Sequence, residues 1–355
     1  MKKHRILFFM PHAPFYRESF LRILSKKYHL TVSARSCRTM SLIEPKARKG
    51  YVYYEPKEIK TLSRLRVFIL PQEIPLYFSR HYDLIICVLG LRYPLRILLF
   101  FINKFRKRKV SWIWYGHFFG RKGKSFLSPF IKLLVNRSSG ALTYTAEYKE
   151  KLTSVGCLPN KITSFNNSEV SERDVSRFPI DDIQDFVHVL YIGSYRRHKK
   201  IERLIQLSDR LSFIKVRLIG PGLGGLKKNE NKNIEVIPMA LTKESLIPHL
   251  KWSHIVAAPG HVGLLVATAA RAGRPIVIDS SSKHAPEYLI AKEADQPFIN
   301  WSQNGEVDSF FKSIYKGGIN LNRLGARLYK HVRQNYTIEN MAHIFIKKID
   351  SVLGE

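Results

Sequence analysis

Acidic residues are scarce in this chain: 28 Asp and Glu stand against 59 Lys and Arg over 355 residues, a formal net charge of +31. That imbalance calls for an anionic partner or surface, and a nucleic acid, a membrane or a phosphorylated substrate would each supply one. Cysteine is nearly missing. Cys37, Cys87 and Cys157 are odd in number and too widely spaced for a disulfide framework or a metal-ligand motif, which fits a reducing compartment. No signal peptide opens the sequence, because Met1-Lys2-Lys3-His4-Arg5 leads directly into the strand-like Ile6-Leu7-Phe8-Phe9-Met10. The expectation is a cytoplasmic protein.

The chain is long enough, and at 45% hydrophobic content apolar enough, for two cores. Cutting after Phe165 leaves 32 basic and 8 acidic residues before the cut and 27 basic and 20 acidic after it, so the positive excess belongs to the first half. Apolar runs at Ile6–Met10, Leu30–Ala34, Leu84–Leu89, Val110–Tyr115 and Ala141–Tyr144 alternate with helical stretches, which predicts a parallel α/β sheet. The polar, acidic stretch from Asn167 to Gln184 breaks that rhythm. It resumes at Val187–Ile192, Lys215–Ile219, Ile234–Ile237, His254–Ala258 and Pro275–Ile278, predicting a second doubly wound domain. The expected division is a first domain over 1–166, a linker over 167–186, a second domain over 187–335 and a terminal helix over 336–355.

Within Arg92–Lys109, the run Ile97-Leu98-Leu99-Phe100-Phe101-Ile102 precedes Lys104, Arg106, Lys107, Arg108 and Lys109. Six apolar residues cannot span a bilayer, which takes about 20. As a helix the segment would lie in the lipid interface with its bases on anionic headgroups. A buried helix with a solvated basic tail is the other reading. The charge of the first half favours the membrane.

In doubly wound domains ligands bind beyond the carboxyl ends of the strands. Three such junctions stand out in the second half. After Val189–Ile192 come Gly193 and a basic cluster in which Arg196, Arg197 and Lys199 are placed to neutralise a diphosphate or, more plainly, to be solvated. After Lys215–Ile219 comes Gly220-Pro221-Gly222-Leu223-Gly224-Gly225, which lacks the spacing of a dinucleotide or P-loop motif and reads as a turn. After His254–Ala258 comes Pro259-Gly260-His261-Val262-Gly263-Leu264, opening an Ala-rich helix that ends at Gly273 and Pro275. The mouth of that helix, at Gly263 and Leu264, would turn free amides toward an anion.

This order, together with Arg137 to Thr145, Leu152 to Gly156, Lys161-Ile162 and Asn166-Asn167, resembles the family 4 glycosyltransferases of bacterial polysaccharide synthesis over roughly 200 residues. The resemblance implies a GT-B fold: two Rossmann-like domains facing a central cleft, with the C-terminal helix crossing back to the first. It implies a donor site of Gly193, Arg196, Arg197, Lys199, Gly263, Leu264, Thr268 and Glu287, with Lys199 on the donor phosphate. Ser194 stands where the family has an arginine, and Arg196 or Arg197 would substitute. The two family glutamates, eight positions apart, are replaced by Gly260 and Thr268. His117, in Trp114-Tyr115-Gly116-His117, takes the place of a histidine facing the donor sugar, and His12 and Arg17 fall on the acceptor side.

The activity implied is transfer of a hexose from a UDP- or GDP-sugar to a lipid-linked or membrane-held glycan, with retention and without a metal or other cofactor, at the inner face of the cell membrane. A catalytically silent partner subunit is the alternative that Gly260 and Thr268 motivate. A nucleic-acid-binding protein, suggested only by the charge, is the weaker alternative; no RRM, KH or zinc signature accompanies that charge, and nucleic acid is not an expected partner.

Overall fold

The computed structural model describes residues 3–37, 44–59, 67–79, 81–105, 109–116, 127–228, 231–239, 242 and 244–354. The chain forms two compact units, Met1–Glu169 with Ile338–Glu355, and Val170–Thr337.

The first unit holds a sheet of seven parallel strands: β1 (Arg5–His12), β2 (His29–Arg35), β3 (Val52–Tyr54), β4 (Leu84–Val88), β5 (Ser111–Gly116), β6 (Gly140–Thr143) and β7 (Ile162–Ser164). Their order is β3-β2-β1-β4-β5-β6-β7. β1 is apolar without alternation because both faces of the sheet are covered. Ile6, Phe8 and Met10 enter one core with α1 (Glu18–Lys27) and the C-terminal helix Ile338–Leu353. Leu7 and Phe9 enter the other, with α2 (Glu73–Ser79), α3 (Pro94–Ile102), α4 (Ser128–Arg137) and α5 (Ala146–Ser154). Phe345 of the C-terminal helix fixes the first core, 4.8 Å from the Phe20 ring and 4.9 Å from that of Phe165.

An ion pair lies inside the second layer. Glu73 accepts from Arg96 Nη2 at 2.7 Å and Nε at 2.9 Å and from Ser33 Oγ at 2.8 Å, while Arg96 Nη2 also reaches Met10 O at 3.1 Å. Both side chains are buried. The pair therefore ties α2 and α3 to the carboxyl ends of β1 and β2.

The second unit holds β8 (Val187–Ile192), β9 (Ile214–Ile219), β10 (Ile234–Ile237), β11 (Ile255–Ala258), β12 (Ile276–Asp279) and β13 (Phe298–Ile299). They are parallel, in the order β10-β9-β8-β11-β12-β13. α6 (Glu202–Arg210), α7 (Ile247–Trp252), α8 (Leu265–Arg271), α9 (Tyr288–Glu293), α10 (Asn304–Tyr315) and α11 (Leu321–Asn335) accompany them. Alanines at 267, 269 and 270 are buried, letting α8 lie close against its neighbours. Val170 and Ile180, in the stretch read as a linker, are buried in this unit's core. The strand order reverses between β8 and β11, and such a switch point leaves a crevice beyond the strand ends.

Glu73→Ala leaves the Arg96 guanidinium buried without its counter-charge and is expected to destabilise the first unit by about 3–5 kcal/mol. Replacing both residues together, Glu73→Leu with Arg96→Met, should recover most of that loss. Urea unfolding midpoints of the single and double variants test this, and equal losses in both would refute it.

Candidate functional site

The switch point of the second unit brings together the loops after β8, β11 and β12. Gly193 ends β8, and its N–H donates to Ile219 O at 2.8 Å. Beside it stands Gly220, where a Cβ would lie 2.1 Å from Gly193 O, so the ends of β8 and β9 touch through bare backbone. The loop after β8 then makes a 3-10 turn over Arg197–Lys199 and leaves it at Lys200, whose φ of 52° is left-handed and uncommon for a residue with a Cβ.

Gly260 meets this loop from the β11 side. A Cβ at that position would lie 2.7 Å from His198 O and from the carbonyl carbon and oxygen of Lys199, and the next N–H, of His261, donates to His198 O at 2.9 Å. Backbone therefore fills the place where the resemblance sets the first glutamate. Its absence is a matter of packing. Thr268, at the second glutamate position, is half-buried in α8, its N–H bonded to Leu264 O at 3.1 Å. Gly263 and Leu264 precede α8, and the first carbonyl to accept is Gly263 O, from Val266 N at 3.1 Å.

Beneath these loops lies a carboxylate that no motif in the sequence singles out. Asp279 ends β12 with a fully buried side chain. It accepts from Ser282 Oγ at 2.6 Å, Ser281 Oγ at 2.8 Å and Trp301 N at 3.2 Å, and pairs with Arg203 Nη1 at 3.1 Å and Lys200 Nζ at 3.4 Å. Burial pushes its pKa up, but hydrogen bonds from Ser282, Ser281 and the Trp301 N–H outweigh burial and bring it down to about 2. Arg203 also donates to Pro259 O at 3.0 Å and to Ser302 Oγ at 2.8 Å, clasping the loops after β11 and β13.

The cluster after β8 thus splits in two. Lys200 turns inward to Asp279, whereas Lys199, Arg196 and Arg197 make no ion pair among the described residues. Arg196 and Arg197 are exposed and Lys199 is half-buried. Burial first, and then the positive charge of Arg196, lower the Lys199 pKa, and the charge of Glu287 acts the other way. Glu287 stands just ahead of α9 and makes no side-chain cap to it. Two imidazoles that the sequence reading passed over also sit here. His284 donates from Nε2 to Asp279 O at 2.8 Å and accepts at Nδ1 from Val262 N–H at 3.2 Å, which fixes its neutral tautomer. His261 donates from Nδ1 to Lys283 O at 2.6 Å. Their signal was adjacency, one beside Gly260 and the other three residues ahead of Glu287.

In the first unit, His12 and Arg17 line a cavity of about 140 Å³ at the end of β1, together with Tyr16, Tyr115 and Tyr144. His12 donates to Ser36 O at 3.0 Å, and burial lowers its pKa. Arg17 bonds the Asn167 side chain and reaches Ser168 O and Met341 Sδ, each at 3.5 Å. The Tyr115 hydroxyl is buried with no hydrogen-bond partner among the described residues. His117 lies outside the described residues. Among them, no group of three or more His, Cys, Asp or Glu is arranged to hold a metal ion, and no helix is long and apolar enough to cross a membrane.

Two parallel sheets with the second unit's switch-point loops invite comparison with solved structures. A sucrose-phosphate synthase from Thermosynechococcus elongatus matches with a TM-score of 0.70 at 12% identity, covering 99% of this chain and 100% of that one. The lipopolysaccharide outer core galactosyltransferase WaaB matches at 0.68 and 14%, covering 98% and 99%. Anabaena HepE in complex with UDP matches at 0.66 and 12%, covering 99% and 100%. The chain has the GT-B fold. At these identities the GT-B match does not distinguish one family of the fold from another. No protein-family model matches the sequence, and neither does any curated relative.

The low pKa of Asp279 contributes stability to this GT-B chain above about pH 4, the range of an unperturbed carboxyl, and that contribution is lost as pH falls through about 2. Asp279→Asn should lower the melting temperature at neutral pH and flatten its fall between about pH 5 and about 2. Parallel melting curves for variant and parent across that range would contradict this account.

Proposed function

We propose that this chain transfers a hexose from a nucleotide diphosphate sugar to a lipid-linked or membrane-held glycan acceptor, with retention, at the inner face of the cell membrane. The observation that carries the reading is the set Lys199, Arg196 and Arg197, cations with no ion pair among the described residues, at the switch point of a nucleotide-binding type of fold. Support comes from solved GT-B neighbours, which include Anabaena HepE bound to UDP and to UDP-glucose.

The chemistry follows from where charge develops. The bond from the anomeric carbon to a phosphate oxygen breaks, and its electron pair stays on the departing nucleoside diphosphate. Lys199, Arg196 and Arg197 stabilise the extra negative charge that develops on its terminal phosphate, helped by the N–H groups of Gly263 and Leu264. An acceptor hydroxyl forms the new bond on the same face of the sugar and passes its proton to the leaving phosphate oxygen. These cations supply the compensation that a divalent metal gives elsewhere. Thr268 holds a ribose hydroxyl, and Glu287 orients the donor. With Gly260 against backbone, the sugar is gripped by other groups, among which His117 is our candidate across from the donor and His12 and Arg17 serve the acceptor.

A charge-assisted hydrogen bond contributes about 1.5–3 kcal/mol, so Lys199→Ala should weaken UDP or GDP binding by roughly ten- to a hundredfold with the melting temperature of the free protein little changed. Calorimetric titration measures it. If neither nucleotide diphosphate binds the parent protein, or if no nucleotide diphosphate is released from any common sugar nucleotide with a membrane lipid fraction as acceptor, the transferase reading fails. Tight donor binding without any release is the signature of the second reading, a silent partner subunit, which the backbone packing of Gly260 favours.

A further inference from the structure

The inward side of α3 is Arg96, Leu99 and Phe100, followed by Asn103, and all four are buried. On the outward side, where a helix of a soluble unit normally carries charge, stand Leu95, Leu98 and Ile102, and one turn on, Phe105. Leu98 is 53% exposed and Phe105 87%. α2 exposes apolar side chains of its own. It is held to α3 by the Glu73–Arg96 pair and by the Tyr77 hydroxyl, which donates to Asn103 Oδ1 at 3.1 Å, and it exposes Ile74 and Phe78 four residues apart on one face. Leu91, just ahead of α3, is exposed as well.

Charge decides what covers such a face. Between Asp83 and Glu147 the sequence has no acidic residue and twelve Lys and Arg, five of them between Lys104 and Lys109, directly after the apolar helix. A second copy of this chain would set one basic run against another. An acidic lipid headgroup layer satisfies both features at once, taking up the apolar side chains and pairing with the bases. The nine-residue length of α3 suits a helix lying along the surface rather than crossing it.

We propose that the outward face of α2 and α3, with Leu98 and Phe105 as its inserted side chains, docks the first unit on an anionic lipid bilayer. The proposal does not rest on the donor chemistry, and lipid binding is measurable with no substrate present.

The experiment is sedimentation of the full chain with phosphatidylcholine vesicles, with and without a phosphatidylglycerol fraction. The parent should bind the mixed vesicles at least about tenfold more tightly than the neutral ones, and less tightly as salt is raised. The double variant Leu98→Ser with Phe105→Ser should lose about tenfold or more on the mixed vesicles, as expected for removing two inserted apolar side chains. Its melting temperature and its response to nucleotide diphosphate should match the parent. Equal binding by parent and double variant, or by parent to both vesicle types, overturns the proposal. So does a parent dimer in solution, seen by light scattering, that the double variant abolishes.

Discussion

Asp279 is removed from water at the carboxyl end of β12, and a carboxylate so placed must be compensated by donors and cations or not ionise at all. Two serines and a backbone N–H supply part of that compensation; Lys200 and Arg203 supply the rest. The demand has consequences along the chain. Lys200 takes a left-handed backbone while its side chain reaches the carboxylate, and Arg203 is drawn across to the loops that follow β11 and β13. The loop after β8 is thereby pinned against Gly260. The cations that remain unpaired are those the carboxylate does not take. A run of basic residues that in sequence looks uniform is divided in three dimensions: Lys200 is scaffold, and Arg196, Arg197 and Lys199 make no ion pair among the described residues.

The difference between Lys199 and Lys200 could not be read from the sequence, because adjacent lysines after a strand-ending glycine carry no sign of which one turns inward. Asp279 escaped notice for a related reason. Followed by Ser280, Ser281 and Ser282, it has the composition of an ordinary turn, and its two cationic partners come from positions 76 and 79 residues away. The strands, in contrast, were legible except at three sheet edges, where β3, β7 and β13 are only two or three residues long and were not anticipated. Apolar runs such as Ile6–Met10 and Val187–Ile192 are continuous because helices cover both faces of each sheet, and that pattern survives in the sequence alone. The departure at Gly260 was visible as a missing carboxylate, but its cause was not, since the obstructing carbonyls belong to His198 and Lys199, some sixty residues earlier.

That obstruction bears on chemistry as well as packing. Where two loops meet backbone to backbone, no side chain can enter between them, and a residue that would hold a sugar there by its carboxylate has no room. The imidazoles of His261 and His284 stand next to this contact and are oriented by carbonyls of the same loops, at Lys283 and Asp279. The neighbourhood is therefore rich in cations and donors and poor in acceptors other than Glu287. Such a surface is better suited to holding phosphate than to discriminating among hydroxyl groups, and on the proposed reading the diphosphate is the part of a donor that it would grip most firmly.

Both units neutralise part of their positive charge through local ion pairs, among them Arg35–Glu58 and Lys27–Asp350 in the first. In the second, acidic residues are numerous enough to neutralise part of the excess locally, as Asp279 does for Lys200 and Arg203 and Asp308 does for Arg210. In the first, a further carboxylate lies inside the core, where Glu73 compensates the buried charge of Arg96 and holds α2 and α3 in place. That pair faces inward and does nothing for the bases outside it. It also sets the orientation of α3, since anchoring Arg96 to Glu73 turns Leu98 to the opposite side of the helix. The same ion pair that completes the core thus obliges an apolar face to look outward, beside a basic segment that no acidic residue of the surrounding sequence offsets.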